Sequence, residues 1–376
     1  MCVFGTRPEL IKMVPVIHSL KEHSGFEVTV LSTAQHREML DHMLAFFNIK
    51  TDIDLNIMEK GQTLPQLTAK LPVLLDQTLE KVSPDFVLTQ GDTTTAFMVS
   101  LASFYRKIPV GHVEAGLRSF SFENPFPEEM NRVLISRIST LNFAPTVQAK
   151  ENLLKEGCDE SFVHVTGNTV IDTLNIISSK ELPLDPRVDP GKKLILVTAH
   201  RRESHGQKLN EICEALKILA DRNENIQILY PVHPHPRVKL STDAYLKGHS
   251  RILLTEPLDY LTFVGLMKHA TLILTDSGGV QEEAPTLQTP VLVLRETTER
   301  PEGVNAGAAK VIGRKKEGIV SAVETLLHHP KAYNQMIVNQ SPYGDGKASE
   351  RILNILEAYF SVSQSALNNQ GCKKTP

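Results

Sequence analysis

The sequence predicts an α/β protein with two Rossmann-like, doubly wound domains. Short β-branched and apolar runs alternate with longer helix-like segments, which is the pattern of parallel sheets covered by helices on both faces. A chain of 376 residues is also longer than one hydrophobic core usually organises, so two domains are expected. The predicted strands are Val3–Phe4, Glu27–Ser32, Phe86–Gln90, Val110–Val113, Leu194–Thr198, Ile226–Pro231, Leu272–Thr275 and Val291–Leu294.

A change in composition marks the expected domain boundary. Between Ser178 and Lys193 the chain carries three prolines and little periodicity, and a new apolar strand then begins at Leu194. We therefore expect an N-terminal domain over residues 1–175 and a C-terminal domain over residues 176–345. Because ligands of doubly wound sheets bind beyond the carboxyl ends of the strands, the loops after the strands of both domains should face one shared cleft.

Bulk composition excludes several classes of function. The formal net charge is −3 and no basic block is present, so neither a nucleic-acid partner nor a membrane surface is expected. The four cysteines are far apart, which predicts neither a zinc site nor a disulfide framework. No signal-like segment precedes the first strand, and no apolar run reaches membrane-spanning length. A cytoplasmic location is the expectation that fits best.

The segment Thr275–Pro285 is the most informative motif. An apolar strand runs directly into Ser277, Gly278 and Gly279, and then into a carboxylate-rich, helix-like stretch. Glycines permit close approach of an anion, and the free amides of a helix start supply donors, so this turn could hold phosphate. Glu283 could accept two hydrogen bonds from a ribose diol. An ordinary strand-to-helix turn remains the alternative, but together these residues indicate a nucleotide.

Polar residues also follow the strands of the first half. Arg7 opens a helix after the first strand and is suited to bidentate phosphate contact, although a solvated arginine on a capped helix is the alternative. Asp92 could be an acid/base group or the N-cap of the next helix. Glu114, at a strand end among small and apolar residues, fits a proton-transfer role. Glu128 follows a proline, where a structural role in the first helical turn is the alternative.

The strands of the second half are followed by histidines and arginines. His200 precedes two arginines, which suits an anion contact or a proton donor to a leaving phosphate. His233 and His235 have no third ligand at a fitting spacing, so no metal is predicted, and structural or ligand-contact roles are expected. Arg300 lies in a further loop rich in charge. Several arginines around one anion site, with no metal ligands, indicate that the site neutralises a diphosphate without magnesium. No cofactor is expected.

The ordered set of motifs resembles the bacterial non-hydrolysing UDP-N-acetylglucosamine 2-epimerases. The resemblance runs from about residue 3 to about residue 358, and the ordered set is much more specific than any one motif. It rests on GTRPE from Gly5, TAQHRE from Thr33, GDTTT from Gly91, HVEAGLR from His112, PFPEEMNR from Pro125, GNTVID from Gly167, HRRES from His200, YPVH from Tyr230, LTDSGGVQEEAP from Leu274, TTERPEG from Thr297 and SPYGDG from Ser341.

The resemblance implies a fold and an activity. The fold is of the glycosyltransferase-B type, with a C-terminal helix, here residues 346–366, returning to the first domain ahead of a tail over residues 367–376. The activity is the interconversion of UDP-GlcNAc and UDP-ManNAc through loss and re-addition of UDP at a 2-acetamidoglucal. The ManNAc product feeds bacterial surface polysaccharides, and the enzyme is expected to be a homodimer formed through its first domain.

The resemblance also assigns roles to individual residues. Asp92, Glu114 and Glu128 would be the acid/base carboxylates, with His200 assisting departure of the diphosphate; which carboxylate serves which face of C2 does not follow from the sequence. The expected substrate-binding residues are Arg7, Lys12, His233, Ser277, Gly278, Gly279, Arg300, Glu283 for the ribose and Phe263 for the uracil region.

A second, regulatory nucleotide-sugar site known in some relatives matches this chain only in part. The residues that fit its pattern are Gln35, Gln62, Glu128, Arg201 and His233. Glu38 and Gly61 depart from it, so activation by substrate is in doubt here. A hydrolysing epimerase, a glycosyltransferase and a catalytically inactive nucleotide-sugar binding protein remain the competing interpretations. The intact set of carboxylates favours the non-hydrolysing epimerase over all three.

Overall fold

The chain divides into two compact units. The computed structural model describes residues 1–34, 37–59, 61–123, 125–199 and 206–371, with side chains described outside 37–39 and 363–371. Unit 1 comprises Met1–Thr173 and the described residues from Gly344 onward, and unit 2 comprises Leu174–Tyr343. The boundaries expected from the sequence, after residues 175 and 345, each fall two residues beyond these divisions.

Each unit is built on one parallel sheet. In unit 1 the strand order is β3-β2-β1-β4-β5-β6-β7, and in unit 2 it is β10-β9-β8-β11-β12-β13. These orders confirm the predicted doubly wound α/β class, because in each sheet the chain starts near the middle and builds outward in both directions. The strands are β1 (Cys2–Phe4), β2 (Val30–Ser32), β3 (Ile53–Asp54), β4 (Val87–Gln90), β5 (Val110–Val113), β6 (Leu141–Ala144), β7 (Val163–Val165), β8 (Lys193–Thr198), β9 (Ile226–Pro231), β10 (Ile252–Thr255), β11 (Leu272–Thr275), β12 (Val291–Val293) and β13 (Ala309–Val311).

Helices follow nearly every strand. They are α1 (Arg7–Glu22), α2 (Arg37–Phe46), α3 (Leu64–Val82), α4 (Thr94–Tyr105), α5 (Glu128–Ile138), α6 (Val147–Lys155), α7 (Thr169–Ser178), α8 (Gln207–Arg222), α9 (Pro236–Leu246), α10 (Tyr260–His269), α11 (Gly278–Glu283), α12 (Pro301–Asn305), α13 (Lys316–His328), α14 (Pro330–Asn334) and α15 (Ala348–Gly371). Among the described helices, none is both long and apolar enough to cross a membrane.

The strands differ from the predicted ones mainly at their ends. Val110–Val113, Ile226–Pro231 and Leu272–Thr275 have the predicted bounds. The strand predicted from Glu27 begins only at Val30, because its partner β1 begins at Cys2, which pairs with Val30. Five strands, β3, β6, β7, β10 and β13, were not predicted; all are of two to four residues.

Helix α15 belongs to unit 1 and is capped by a residue distant in sequence. Asp172 accepts hydrogen bonds from the backbone amides of Ala348 (3.2 Å) and Ser349 (2.8 Å), and from the Ser349 hydroxyl (2.7 Å). Further along α15, the ring of Phe360 lies 5.9 Å from that of Phe86. The buried Asp172 carboxylate therefore satisfies the otherwise unpaired amides at the start of this helix.

Removal of the Asp172 carboxylate should destabilise unit 1. We expect Asp172→Ala to lower the free energy of unfolding by about 1–3 kcal/mol, because two helix-start amides lose their acceptor. Ser349→Ala is the matched control, since it removes only one of the three hydrogen bonds and should cost less, about 1 kcal/mol. Chemical denaturation followed by circular dichroism measures both. Equal losses in the two variants would contradict the capping role.

Candidate active site

The predicted site residues of unit 1 follow strands that end at the same edge of the sheet. Strand β1 lies beside β4, although β2 and β3 separate them along the chain, and β4 lies beside β5. Such a reversal of strand order opens a crevice at the carboxyl edge of a parallel sheet, where doubly wound folds bind ligands. The turns after Phe4, Gln90 and Val113 therefore share this edge.

The turn after β1 leads to Arg7 and requires a glycine. A Cβ atom on Gly5 would lie 2.4 Å from the hydroxyl oxygen of Thr33 and 2.5 Å from that of Thr95. Two residues later the half-buried Arg7 opens α1. The first amides of a helix and an arginine side chain both favour anions, so this turn offers donors to a phosphate.

A buried carboxylate lies under this turn. Glu9 is 1% exposed, and its Oε2 atom accepts hydrogen bonds from the amides of Gly5 (3.1 Å) and Thr6 (2.7 Å). Its Oε1 atom accepts a hydrogen bond of 2.6 Å from the hydroxyl of Thr93, which belongs to the turn after β4. Burial raises the pKa of Glu9, and the hydrogen bonds act in the opposite direction.

Asp92, which lies in the turn after β4, does not cap the helix that follows. The N-cap of α4 is Thr93, whose hydroxyl accepts a hydrogen bond of 3.0 Å from the amide of Ala96, so the capping alternative for Asp92 is wrong. The Asp92 carboxylate instead accepts a hydrogen bond of 2.6 Å from Arg132, and the amide side chain of Asn131 donates to the Asp92 carbonyl oxygen at 2.9 Å. Asp92 keeps a side-chain exposure of 32% and is open to solvent.

Glu114, directly after β5, is held in an unusual backbone conformation. Its φ of +67° lies in the left-handed region, which is uncommon for residues other than glycine and is concentrated at functional sites. The side chain is only 7% exposed, and its Oε2 atom receives hydrogen bonds from the ammonium group of Lys12 and the side-chain amide of Gln90. Lys12, predicted from the resemblance as a substrate contact, thus pairs with a proposed acid/base carboxylate.

Glu128 and its neighbour Glu129 differ in their surroundings. Glu128 is the first residue of α5 and is half-buried. Glu129 is 1% exposed and accepts hydrogen bonds from the amides of Ser119 (3.0 Å) and Phe120 (2.9 Å). Glu129 therefore fixes the loop that follows Glu114, while Glu128 keeps contact with solvent.

In unit 2, the Ser-Gly-Gly turn follows β11 as predicted. Ser277 is the N-cap of α11, and its own amide donates a hydrogen bond of 2.9 Å to the hydroxyl of Thr275. The Ser277 side chain makes no capping hydrogen bond, and Gly278 and Gly279 form the first turn of the helix. Sheet order again places this turn at a reversal, because β11 pairs with β8.

Glu283 and Phe263 lie on adjoining segments of unit 2. The Tyr260 hydroxyl donates a hydrogen bond of 3.0 Å to the Glu283 carboxylate. Phe263 is half-buried and lies three residues after Tyr260 on α10, so the two side chains are on neighbouring positions of one helix face. This hydrogen bond therefore joins α11, which carries the candidate ribose contact Glu283, to α10, which carries the candidate uracil contact Phe263.

Arg300 is surrounded by carboxylates. Its guanidinium group forms an ion pair with Glu282, which is 2% exposed, and lies 3.5 Å from the Glu299 carboxylate. The hydroxyl of Thr298 donates to the side chain of Gln281 at 2.6 Å and thereby joins the same loop to α11. The loop bearing Arg300 is thus attached to the helix that follows the Ser-Gly-Gly turn.

Several of the predicted site residues lie outside the part of the chain that the structure describes. His200, Arg201 and Gln35 lie outside the described residues, and so does the side chain of Glu38. Gln62 is half-buried, and its side-chain nitrogen is enclosed without a hydrogen-bond partner within the described part of the chain.

The two histidines after β9 shape a turn. His233 is exposed, and its Nδ1 atom accepts a hydrogen bond of 3.2 Å from the amide of His235. His235 in turn is the N-cap of α9 and accepts from the amide of Arg237 at 3.3 Å. Over the described residues, no three His, Cys, Asp or Glu side chains group as a metal site would require.

Sequence reasoning missed four side chains that hold the candidate site. Gln90 and Arg132 contact Glu114 and Asp92, Glu9 joins two turns, and Tyr260 contacts Glu283. Gln90 and Glu9 lie within two residues of predicted site residues, so adjacency to a site motif was an available signal. Arg132 is the last residue of the PFPEEMNR motif and had the same signal. Tyr260 belongs to no quoted motif, and its partner Glu283 is 23 residues away in the sequence.

The fold and the side chains at the strand ends place the chain in the class of two-unit, Rossmann-like α/β proteins. Comparison with known proteins narrows this class. The sequence model of the UDP-N-acetylglucosamine 2-epimerase family matches residues 18–357. The UDP-N-acetylglucosamine 2-epimerase of Salmonella typhimurium is 49% identical over 369 residues, which cover 96% of this chain and 98% of that protein. The chain belongs to the UDP-N-acetylglucosamine 2-epimerase family and is an isomerase.

Solved structures agree with this assignment. The UDP-GlcNAc 2-epimerase of Neisseria meningitidis, solved bound to UDP-GlcNAc, is similar with a TM-score of 0.88 and 45% identity, covering 95% of this chain and 99% of that chain. MurG of Acinetobacter baumannii has the same fold at 16% identity and a TM-score of 0.56, covering 95% and 98%. The predicted glycosyltransferase-B type fold is thereby confirmed.

Acid should destabilise unit 1 through His112, which lies on β5. Its Nε2 atom lies 2.7 Å from the carbonyl oxygen of Gly91 and must donate to it, and burial lowers the pKa of His112 to about 4. A folded-state pKa below the unfolded value of 6.5 means that stability is fully present above pH 6.5 and is lost as the pH falls towards 4. The full effect is about 3 kcal/mol at roughly 1.4 kcal/mol per pKa unit.

Thermal midpoints of wild type and His112→Gln across this pH range test the effect. Glutamine can still donate to the Gly91 carbonyl oxygen but takes up no proton, so the variant should lose less stability than wild type between pH 6.5 and 4. Parallel losses in the two proteins would show that His112 does not contribute.

Proposed function

We propose that this chain interconverts UDP-GlcNAc and UDP-ManNAc by eliminating UDP to a 2-acetamidoglucal and adding it back. Family membership and the bound UDP-GlcNAc of the Neisseria relative support the substrate class. The observation that carries the mechanism is Glu114, a carboxylate in the left-handed backbone region that receives hydrogen bonds from Lys12 and Gln90. Such strain persists where the surroundings hold a side chain in one geometry.

The chemistry explains why several carboxylates are needed. The C2–H bond of an N-acetylhexosamine has no adjacent carbonyl to acidify it. When the C1–O bond to UDP breaks, positive charge develops at C1, a base removes the C2 proton, and the C1–C2 double bond forms. Return of a proton to the other face of C2 and of UDP to C1 yields the epimer. One acid/base group is required on each face, and the intermediate must be kept from water.

Three carboxylates are the candidates for these proton transfers. Asp92 and Glu114 follow the paired strands β4 and β5, and the amide of Gly91 donates to the Val113 carbonyl oxygen at 3.0 Å. This hydrogen bond brings the two turns side by side. Glu128 opens α5, the helix whose residues Asn131 and Arg132 contact Asp92, so it is the third candidate.

The remaining predicted residues would bind the nucleotide. Arg7 and the turn formed by Ser277, Gly278 and Gly279 would hold the diphosphate, with His200 assisting its departure. Glu283 would accept from the ribose hydroxyls, with Tyr260 fixing its orientation, and Phe263 would contact the uracil. Arg300 and His233 are proposed as further contacts.

The proposal extends to the cellular setting. Cys2, Cys158 and Cys213 are free thiols, which suits a reducing cytoplasm. A homodimer, delivery of ManNAc units to bacterial surface polysaccharides and no requirement for a cofactor complete the proposal. Activation by substrate is not proposed, because Glu38 and Gly61 depart from the pattern of the regulatory site.

Proton NMR in heavy water tests the mechanism. With UDP-GlcNAc as substrate, we expect deuterium at C2 of both UDP-GlcNAc and UDP-ManNAc, with no lasting free ManNAc. Accumulation of free ManNAc and UDP would identify a hydrolase instead. An unchanged spectrum despite saturable binding would identify a binding protein, and transfer of the sugar to an added acceptor would identify a glycosyltransferase.

Isosteric variants test the carboxylates. We expect Asp92→Asn and Glu114→Gln each to lower kcat by about 10²–10⁴-fold, the range for loss of an acid/base group, while UDP binding measured by calorimetry changes little. Glu160→Gln is the control, because Glu160 pairs with Lys150 on the surface of unit 1 and should leave kcat unchanged. A Glu114→Gln variant with wild-type kcat would exclude Glu114 from the chemistry.

A further inference from the structure

We infer that Glu9 is a positioning residue that ties the turn bearing Arg7 to the turn bearing Asp92. The inference concerns a physical link between two turns, and its catalytic consequence rests on the proposed function. Glu9 is not among the proposed acid/base groups, because its carboxylate is buried beneath the edge of the sheet and occupied by three donors.

The link joins elements that are far apart in the sequence. Through Oε2, Glu9 holds the amides of Gly5 and Thr6 within its own helix start, as a capping residue does. Through Oε1, it accepts a hydrogen bond of 2.6 Å from the hydroxyl of Thr93, which is 84 residues away. The Thr93 oxygen also accepts from the amide of Ala96 and thereby caps α4. One carboxylate therefore connects the starts of α1 and α4.

A buried carboxylate at this place is costly unless it is required. Thr33 and Thr95 are both fully buried, and their hydroxyl oxygens lie 3.0 Å apart beside Gly5. Three donors converge on Glu9, and a carboxylate is acceptor-only, so it can satisfy all of them at once. An apolar side chain would leave the buried amide of Gly5 and the half-buried amide of Thr6 without this acceptor, which explains why a charged residue is kept in a desolvated position.

Two of the three anchored residues are adjacent to a proposed functional residue. Thr6 precedes Arg7, and Thr93 follows Asp92. A shift of either turn is therefore passed directly to a side chain that would contact the diphosphate or move a proton. Displacements of about 1 Å can cost about 10²-fold in rate when reacting groups must be aligned. Glu9 would thus hold Arg7, which would bind the leaving group, at a fixed position relative to Asp92, which would transfer a proton.

A double-mutant cycle tests the link. Glu9→Ala removes the carboxylate and leaves the α4 cap in place, whereas Thr93→Val removes the hydroxyl that donates to Glu9. We expect each variant to lower kcat by about 10–100-fold with KM changed by less than about threefold. The double variant should be no slower than the slower single variant, because both changes sever one link. Thr93→Ser keeps the hydroxyl and should retain kcat within about threefold.

A second cap in unit 1 provides the matched control. Thr146 is the N-cap of α6 and accepts from the amide of Ala149 at 3.2 Å, and it is not one of the three donors to Glu9. Thr146→Val should lower the thermal midpoint by loss of a helix cap yet keep wild-type kcat. Equal losses of kcat in the two threonine variants, or additive losses in the cycle, would reduce Thr93 to a simple helix cap and overturn the inference.

Amide hydrogen exchange separates the link from the proposed activity. In Thr93→Val we expect faster exchange in peptides covering residues 5–9 as well as in those covering 94–97. The reason is that Glu9, which accepts from the amides of Gly5 and Thr6, is no longer held by the Thr93 hydroxyl. Faster exchange confined to the start of α4 would overturn the link, whether or not the wild-type enzyme epimerises. If the link is present but wild type shows no exchange at C2 of UDP-GlcNAc, the proposed function fails and the link stands.

Discussion

The candidate site depends on one constraint, the common edge at which β1, β4 and β5 end. Parallel pairing places the carboxyl ends of these strands side by side, although their turns are separated by more than 80 residues between Gly5 and Gly91. The hydrogen bond from Gly91 to Val113, and the one between His112 and the Gly91 carbonyl oxygen, lock the last two turns together. Without this register, Asp92 and Glu114 would not share one edge.

Charges at this edge are held in pairs. Lys12 of α1 forms an ion pair with Glu114, and Arg132 of α5 forms one with Asp92. Each carboxylate is therefore paired with a cation from a helix elsewhere in the sequence. In unit 2, Glu282 similarly neutralises Arg300. Opposite charges at such distances offset much of the cost of removing each ion from water. Pairing thus allows several ionised side chains to occupy partly buried positions next to one another.

Sequence patterns predicted the strands whose own residues form a recognisable hydrophobic run. The mostly apolar runs of β9 and β11 could be read directly, because strands covered on both faces are largely hydrophobic. The short strand β6 includes the buried Asn142, and such a run is not distinguishable from a turn by pattern alone. Motif matching assigned Lys12 to the substrate, whereas its contact with Glu114 spans 102 residues and depends on the folded sheet.

Within the motifs, a functional candidate is accompanied by a buried anchor. Half-buried Glu128 precedes buried Glu129, which holds the loop after Glu114, and half-buried Glu283 follows buried Glu282, which holds Arg300. In the same way Arg7 is two residues from Glu9, and Asp92 is followed by Thr93. A reactive side chain must face its ligand, so it cannot also fix its own backbone. The neighbouring residue supplies that fixation, which explains why these motifs are rich in adjacent polar residues.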